Sequence, residues 1–566
     1  MMDKKTVLVV LACLIALLAS QMVVNRIYPP KPRPLHPSSA ASSTAAPAAM
    51  AAPKPAEKPA EPTTPQPSAI AEPEEPRPPE QTVALSNAYV RMEITSWGGG
   101  VKSVELLKYK ADSHGHVELN GTNFVPALAI GGIANAGPSA AYAIEQPEPN
   151  SVVMKRRTKG GLEITKTFRL GDGYLLSNTV EIARASGATA SLPAPVGFVI
   201  GTATTVDPKE LSLYLTASWM AGEKYQYRDL KHINKNAAKG ISGETINARW
   251  GAVKSQFFTI ILTPATNAVA IEYKELTLTP PPDWTEKQPP QAVSATLQFP
   301  PATITTNTAE RYEFTWYAGP KEYERLVALG KGQEEVMQLG FWGVIGVVLL
   351  KSMKFFYKLI PNYGIAIIII TILIKILFWP IQAKSIKSMK AMQKFQPLMT
   401  KLREKYKEDP QRLNSEMMKL YKEHKINPFA GCLPMVVQIP VFFALFTMLR
   451  SAIELRGASF LWIHDLSAPD TLFHVAGFPI NLLPLLMTAA SIWQMKITPQ
   501  TGDQQQQKMM MFMPLLMLFF FYSTSSGLVL YWTVQQFLSI AQQWWSMRQP
   551  EAATLAGPAA STGKRK

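Results

Sequence analysis

The stretch "IAIIIITILIKILFWPIQ", Ile365 to Gln382, decides how the chain is read. It has the apolar character and the roughly 20-residue length that a membrane-spanning helix needs. One residue breaks the pattern. Lys375 lies about 13 residues into the span, or roughly 20 Å along a helix axis that rises ~1.5 Å per residue. A lysine at that depth costs about 2.5–3.5 kcal/mol on insertion scales. Thr371 stands four residues before it and Gln382 seven after it, so helical geometry puts all three on one face. A snorkelling lysine is one reading. The shared polar face favours another, in which Lys375 faces a wet cavity inside a helical bundle.

The rest of the chain fits a membrane protein with several domains. It has 566 residues, is 47% hydrophobic and only 17% charged, and its apolar residues come in blocks. Residues 1–27 hold a short basic start and an apolar run from Thr6 to Val24. A cleaved signal peptide, a lipoprotein site at Cys13 and an uncleaved anchor compete there. The weak cleavage site and the apolar run beyond Cys13 favour the anchor, with Lys4 and Lys5 keeping the N-terminus cytoplasmic. Residues 28–80 are dense in Pro and Ala and are expected to be an extended linker. Residues 81–331 alternate apolar and polar residues between Gly, Asn and Pro turns, as in "LEITKTFRL". This predicts one large antiparallel β-sandwich of about seven strands. Its His114 and His116 form an HxH without an evident third ligand, so no metal site is expected. The two cysteines, Cys13 and Cys432, support neither a disulfide framework nor a zinc site.

Six spans are expected in all. After the anchor, residues 332–361 are too short in apolar length to cross a bilayer. Lys351, Lys354 and Lys358 share one helix face, which predicts an amphipathic helix lying in the membrane surface. Spans follow at 362–382, 429–450, 480–496, 509–523 and 527–546, separated by 383–428, an external loop at 451–479 and a cytoplasmic loop at 497–508. A tail, 547–566, ends the chain. From Lys384 to Pro428 there are twelve Lys and Arg against five Asp and Glu, which places that segment in the cytoplasm. The two termini then lie inside and the β-domain outside. Within the segment, Ile386, Met389, Met392, Phe395, Leu398, Leu402 and Tyr406 stripe one helix, and "EDPQRL" starts a second. This is a basic helical hairpin near anionic lipid. Lys387, Lys394, Lys401, Arg403 and Lys405 make it a candidate docking surface for an acidic partner such as ribosomal RNA.

No nucleotide-binding, hydrolase or metalloprotease motif occurs, and the spans carry no acidic pair for proton relay. The chain is therefore not expected to be an enzyme, and no cofactor is expected. Uncharged polar residues do recur in the spans, among them Gln438, Gln535, Ser539 and Gln542. Each alone is a common interhelical hydrogen bond. Methionine and aromatic residues are abundant, which suits a core or a surface that meets varied apolar segments. A polytopic transporter or channel is the alternative class, but inverted repeats are not evident.

Three stretches carry a resemblance: "INPFAGCLPMVVQIPVFFALFTMLRSAIELRGASFLWIHDLSAPD", "QQQQKMMMFMPLLM" and "SSGLVLYWTVQQ". With them the chain resembles the YidC membrane protein insertases of Gram-negative bacteria over nearly its whole length. The resemblance implies an insertase and folding chaperone of the bacterial inner membrane. Its implied partners are nascent membrane proteins, the ribosome, the Sec translocon and membrane lipids. It also implies a hydrophilic groove in the inner leaflet, closed toward the outside, where a positive residue attracts acidic parts of a client. Lys375 matches that position, usually arginine. Thr371, Phe442 and Trp532 match client-contacting positions, Trp532 standing where tyrosine is common. Gln382, Gln438 and Gln535 complete the expected groove lining.

Overall fold

The computed structural model describes residues 78–548, apart from 112–114, 122–124, 185–189, 192–193, 207–209, 279–288, 306–308, 425–432 and 499–503. The anchor, most of the linker, the C-terminal tail, His114, Cys13 and Cys432 lie outside the described residues.

The β-region runs from Thr82 to Pro320, a separate strand pair lies at 471–481, and every pairing among the described residues is antiparallel. A four-stranded sheet holds residues 82–119, and a thirteen-stranded sheet holds most of the remainder. The expectation of about seven strands therefore undercounts. Many strands here are joined by tight turns inside one apolar–polar alternation, so the sequence pattern merges neighbours. Strand Leu162–Leu170 shows the alternation plainly, with Leu162, Ile164, Lys166, Phe168 and Leu170 all buried.

The large sheet folds back on itself. Trp316 donates its indole N–H to the Ile200 carbonyl at 2.8 Å, although four strands separate their two strands in the sheet order. Trp316, Phe168 and Phe198 are fully buried in the core so enclosed, while Trp250 is buried on the other face of its strand and donates to the Lys331 carbonyl at 2.9 Å. Burying each such aromatic contributes about 1.5–3 kcal/mol of hydrophobic stabilisation.

Ten helices are described: α1 (Leu230–Ala237), α2 (Tyr323–Leu329), α3 (Gly343–Leu359), α4 (Tyr363–Lys394), α5 (Gln396–Lys405), α6 (Pro410–Glu423), α7 (Leu433–Ser451), α8 (Leu482–Ile497), α9 (Gln504–Phe521) and α10 (Ser526–Arg548). Among the described residues only α4 is both long and apolar enough to cross a membrane by length and composition. Asn362 caps it by accepting from the Ile365 N–H at 3.1 Å. α4 continues through Pro380, which cannot donate to the Ile376 carbonyl.

The stripe expected to run unbroken from Ile386 to Tyr406 is interrupted. α4 ends at Lys394 and α5 restarts beyond Phe395, because Pro397 sits in the first turn of the new helix. Leu398 is consequently exposed, while Met392, Met399 and Met417 form a small separate core with Leu402, Leu413, Leu420 and Tyr421. Asp409 caps α6 by accepting from the Arg412 N–H at 2.9 Å.

The β-region is tied to one end of the helices. Gln256 donates to the Arg450 carbonyl at 3.1 Å, and Arg456 to the Lys110 carbonyl at 2.7 Å. On α3, Lys354 lies 2.8 Å from Glu324, 3.5 Å from Glu322 and 3.6 Å from Glu454. Burial pushes the Glu454 carboxyl up from its ordinary value, with the Lys354 ammonium opposing that shift.

Candidate functional site

The site is built where α4, α7 and α10 meet. On α4, Thr371 is fully buried, Lys375 is 3% exposed and Gln382 is 8% exposed. The polar face that spacing predicts is thus turned inward. Thr371 spends its hydroxyl on its own helix, donating to the Ile367 carbonyl at 2.7 Å. Lys375 does not. Its Nζ donates to Ser539 Oγ on α10 at 2.7 Å, the one hydrogen bond described for it. Ser539 in turn donates its hydroxyl to the Gln535 carbonyl at 2.8 Å. An ammonium carries three N–H donors, so two remain to meet water or a ligand.

A second polar thread crosses beside it. Gln535 donates from Nε2 to Gln438 Oε1 at 3.3 Å, and Gln438 donates to the Tyr531 hydroxyl at 3.1 Å. The Gln535 Oε1 atom is buried without a hydrogen-bond partner among the described residues. A buried acceptor left open costs about 1–3 kcal/mol, which a water or another N–H donor would relieve. Ring contacts border the thread. Phe442 meets Trp532 edge-on at 5.1 Å, and Phe521 lies 5.7 Å from Trp532. Gln542 donates to the Trp379 carbonyl at 3.4 Å, so α10 is bound to α4 at two points on the N-terminal side of Pro380.

The structure therefore brings Lys375, Gln438, Gln535, Phe442 and Trp532 onto facing helices, with Thr371 and Gln382 buried on the Lys375 helix. Two pairings escaped the sequence. Ser539, one polar residue among several there, is the hydrogen-bond partner of Lys375, and Tyr531 ends the amide thread. A hydroxyl near apolar "VLYWTV" gives little signal of its partner, and the pairing of Gln438 with Tyr531 spans 93 residues.

The basic hairpin stands apart from this site. Lys387, Lys394, Lys401 and Lys405 are exposed and Arg403 is half-buried. Lys390 anchors the base of the hairpin by donating to the Ser546 carbonyl at 2.5 Å. In the β-region, His116 pairs with Glu105 at 3.0 Å.

Two family models match the chain. Residues 82–352 match the model of the YidC periplasmic domain, and residues 355–553 match the model of the 60Kd inner membrane protein. A relative from Pelobacter propionicus named "Membrane protein insertase YidC" is 32% identical over 561 residues, covering 96% of this chain and 98% of its own. Another of the same name, from Syntrophus aciditrophicus, is 33% identical over 571 residues, covering 97% and 100%. A solved structure of an active YidC insertase with its first transmembrane domain resolved is 18% identical, covering 81% of this chain and 91% of that one, at a TM-score of 0.35.

A β-rich periplasmic domain joined to a helical membrane region defines an inner-membrane protein of the insertase class. The chain belongs to the YidC membrane protein insertase family.

Proposed function

We propose that this membrane protein insertase works through a hydrophilic groove between α4, α7 and α10, with Lys375 as its charged floor. One observation carries the reading: Lys375 is withdrawn from solvent, yet the single hydrogen bond described for it, to Ser539, leaves donors open. A polar client segment entering the groove crosses a shortened apolar barrier. Acidic groups in it are drawn to the ammonium, a charge-assisted contact about twice as strong as a neutral one. Gln438 and Gln535 offer hydrogen bonds to its backbone. The client's apolar helix then leaves sideways past Phe442 and Trp532, driven by its own partition into lipid. No covalent step and no nucleotide enter this scheme.

In the same reading the chain makes six spans with two cytoplasmic termini, and α3 lies in the membrane surface. The exposed apolar side chains of α3, Phe341 beside it, Val344, Val348, Phe355 and Leu359, support that placement. The strands at 82–320 form a sandwich, as the closure through Trp316 supports. The α5–α6 hairpin faces the cytoplasm and receives the ribosome through Lys387, Lys394, Lys401, Arg403 and Lys405, with anionic lipid beneath it. Working alone or with the Sec translocon, the groove also serves as a folding chaperone for partly inserted helices.

Lysine, in place of the more usual arginine, keeps the charge and loses the planar fork for paired carboxylate contacts. Attraction of acidic segments therefore survives, without bidentate geometry. Photocrosslinking from positions 371 and 532 to a ribosome-stalled single-span client tests the groove. Adducts at the two positions are expected; adducts only from lipid-facing controls such as position 376 would overturn it.

A further inference from the structure

Strands Thr471–Val475 and Phe478–Asn481 form a two-stranded hairpin outside the groove. Ala476 (φ 50°) and Gly477 (φ 81°) turn it, two successive left-handed residues as a type I′ turn requires. Cross-strand partners share a face, so Phe473, Val475, Phe478 and Ile480 lie together. Phe473, Val475 and Phe478 are each more than half exposed, at 56%, 53% and 58%. His474 is the only titratable residue from 471 to 481. An isolated two-stranded hairpin is marginal in water, and this one has no covering layer among the described residues.

Contacts with α8 and the end of α9 hold it in place. Phe478 stacks on Tyr522 at 5.3 Å, beyond the end of α9, and the Tyr522 hydroxyl donates to the Pro479 carbonyl at 2.5 Å. Asn481 donates to the Tyr522 carbonyl at 2.6 Å, and Asp470 accepts from the Leu483 N–H at 2.6 Å at the start of α8. Asp470 follows directly on the loop whose Arg456 reaches the β-region. The hairpin is therefore at the β-region end of the helices, which the family places on the periplasmic side.

We propose that this hairpin lies in the outer leaflet, its Phe473–Val475–Phe478 face covered by the glycerol and upper acyl groups of phospholipids. Continuity supports lipid as the occupant: the apolar face runs through Phe478 and Tyr522 onto the exposed Phe519 and Phe520 of α9, and Leu485 and Leu486 on α8 are exposed as well. The outer edges of the two strands set the depth. Tyr522 meets the Pro479 carbonyl on one edge, but the edge groups of Thr471–Val475 need water, so the hairpin rests at the interface and does not enter the hydrocarbon centre. This placement goes beyond the groove and does not depend on it.

The test uses the full chain with Cys13→Ala and Cys432→Ala, reconstituted in phosphatidylethanolamine–phosphatidylglycerol vesicles. Single Phe473→Cys, Val475→Cys and, as control, Lys235→Cys variants carry a polarity-sensitive fluorophore. The probes at 473 and 475 are expected to be shielded from aqueous iodide. A spin label high on the acyl chain should quench them about twofold more than one near the bilayer centre. The probe at 235, on exposed α1, should respond to iodide alone. Iodide access at 473 and 475 without lipid quenching would overturn the proposal and leave the face open to a protein partner. Strongest quenching from the bilayer centre would overturn the shallow placement. Using two labelled positions keeps the test decisive if one variant fails to fold.

Discussion

Lys166 in the β-region and Lys375 in the helical region are both removed from solvent, but their surroundings differ. Lys166 is 0% exposed and donates to three carbonyls: Gly98 at 3.2 Å, Gly99 at 2.6 Å and Leu128 at 2.9 Å. The Tyr142 ring lies 5.1 Å from its Nζ. Gly98 (φ 69°) and Gly99 (φ 57°) make that cradle, since a Cβ at Gly98 would come within 2.7 Å of the Pro138 carbonyl oxygen. All three donors are used. Lys375 is nearly as buried and has one hydroxyl partner described. The satisfied lysine is tied into the fold by all three donors, whereas under the proposed function the open donors of Lys375 are left for a client.

The comparison is broken most forcefully at Lys166. Lys166→Met leaves three buried carbonyls without donors. A loss of about 3 kcal/mol is expected, roughly a hundredfold in the folded-to-unfolded ratio. Denaturant unfolding of the full chain in detergent, followed by tryptophan fluorescence, measures it. A pH signature accompanies the loss. Burial lowers the Lys166 amine to about 7, well under its ordinary value. Between about 7 and that ordinary value the unfolded chain carries a proton that the folded chain lacks, so stability rises with pH. Below about 7 both states are protonated and the cost of the buried charge is fully present. The variant should lose part of the rise between neutral pH and pH about 9. Lys321, which burial also lowers to about 7, keeps the rise from vanishing. An unchanged slope would show that Lys166 does not titrate there.

Lys375→Ala is expected to leave the unfolding midpoint nearly unchanged while insertion of acidic-tailed clients falls. The charge-assisted hydrogen bond to the client that alanine cannot make is worth about 1.5 kcal/mol, or roughly tenfold in efficiency. Lys375→Arg should retain activity. Protease protection of a client in proteoliposomes reads both variants. Wild-type efficiency in Lys375→Ala would end the electrostatic role and make the two lysines alike. A smaller effect is expected at Gln535→Leu, which removes the amide thread to Gln438 and Tyr531. One neutral hydrogen bond is worth about 0.5–1.5 kcal/mol, so insertion should fall about threefold for clients with polar tails. A wholly apolar client should be unaffected, and an equal loss for both would indicate simple misfolding.

Much of this was legible in the sequence. Helical spacing alone turned Thr371, Lys375 and Gln382 to one side, and all three are buried. Period-two alternation in "LEITKTFRL" likewise puts Lys166 on the inward face, although its charge makes that easy to discount. Pairings between distant strands were not legible, because alternation fixes the face of a strand and not its neighbour. The break at Phe395 was hidden for a related reason. The apolar stripe continues across it, and only Pro397 marks the new helix. The pairing of Ser539 with Lys375 gave no signal either, since the two lie 164 residues apart.

The smallest expected effect belongs to Ser539→Ala, and it bears most directly on what Lys375 is for. Ser539 could be the group that makes Lys375 tolerable in its span, as the three carbonyls do for Lys166. Alternatively it steadies a charge whose other donors serve the client. If the first holds, Ser539→Ala should damage the chain as much as Lys375→Ala, because a buried ammonium loses its only described partner. If the second holds, a water replaces the hydroxyl at a cost of about 0.5 kcal/mol, and insertion stays within about twofold of wild type. The expected result is the second. Combining Ser539→Ala with Lys375→Ala should add nothing to Lys375→Ala alone, since the hydroxyl acts through the lysine. An additive loss in the double variant would show that Ser539 meets the client itself, and the groove would then have a second polar contact on α10.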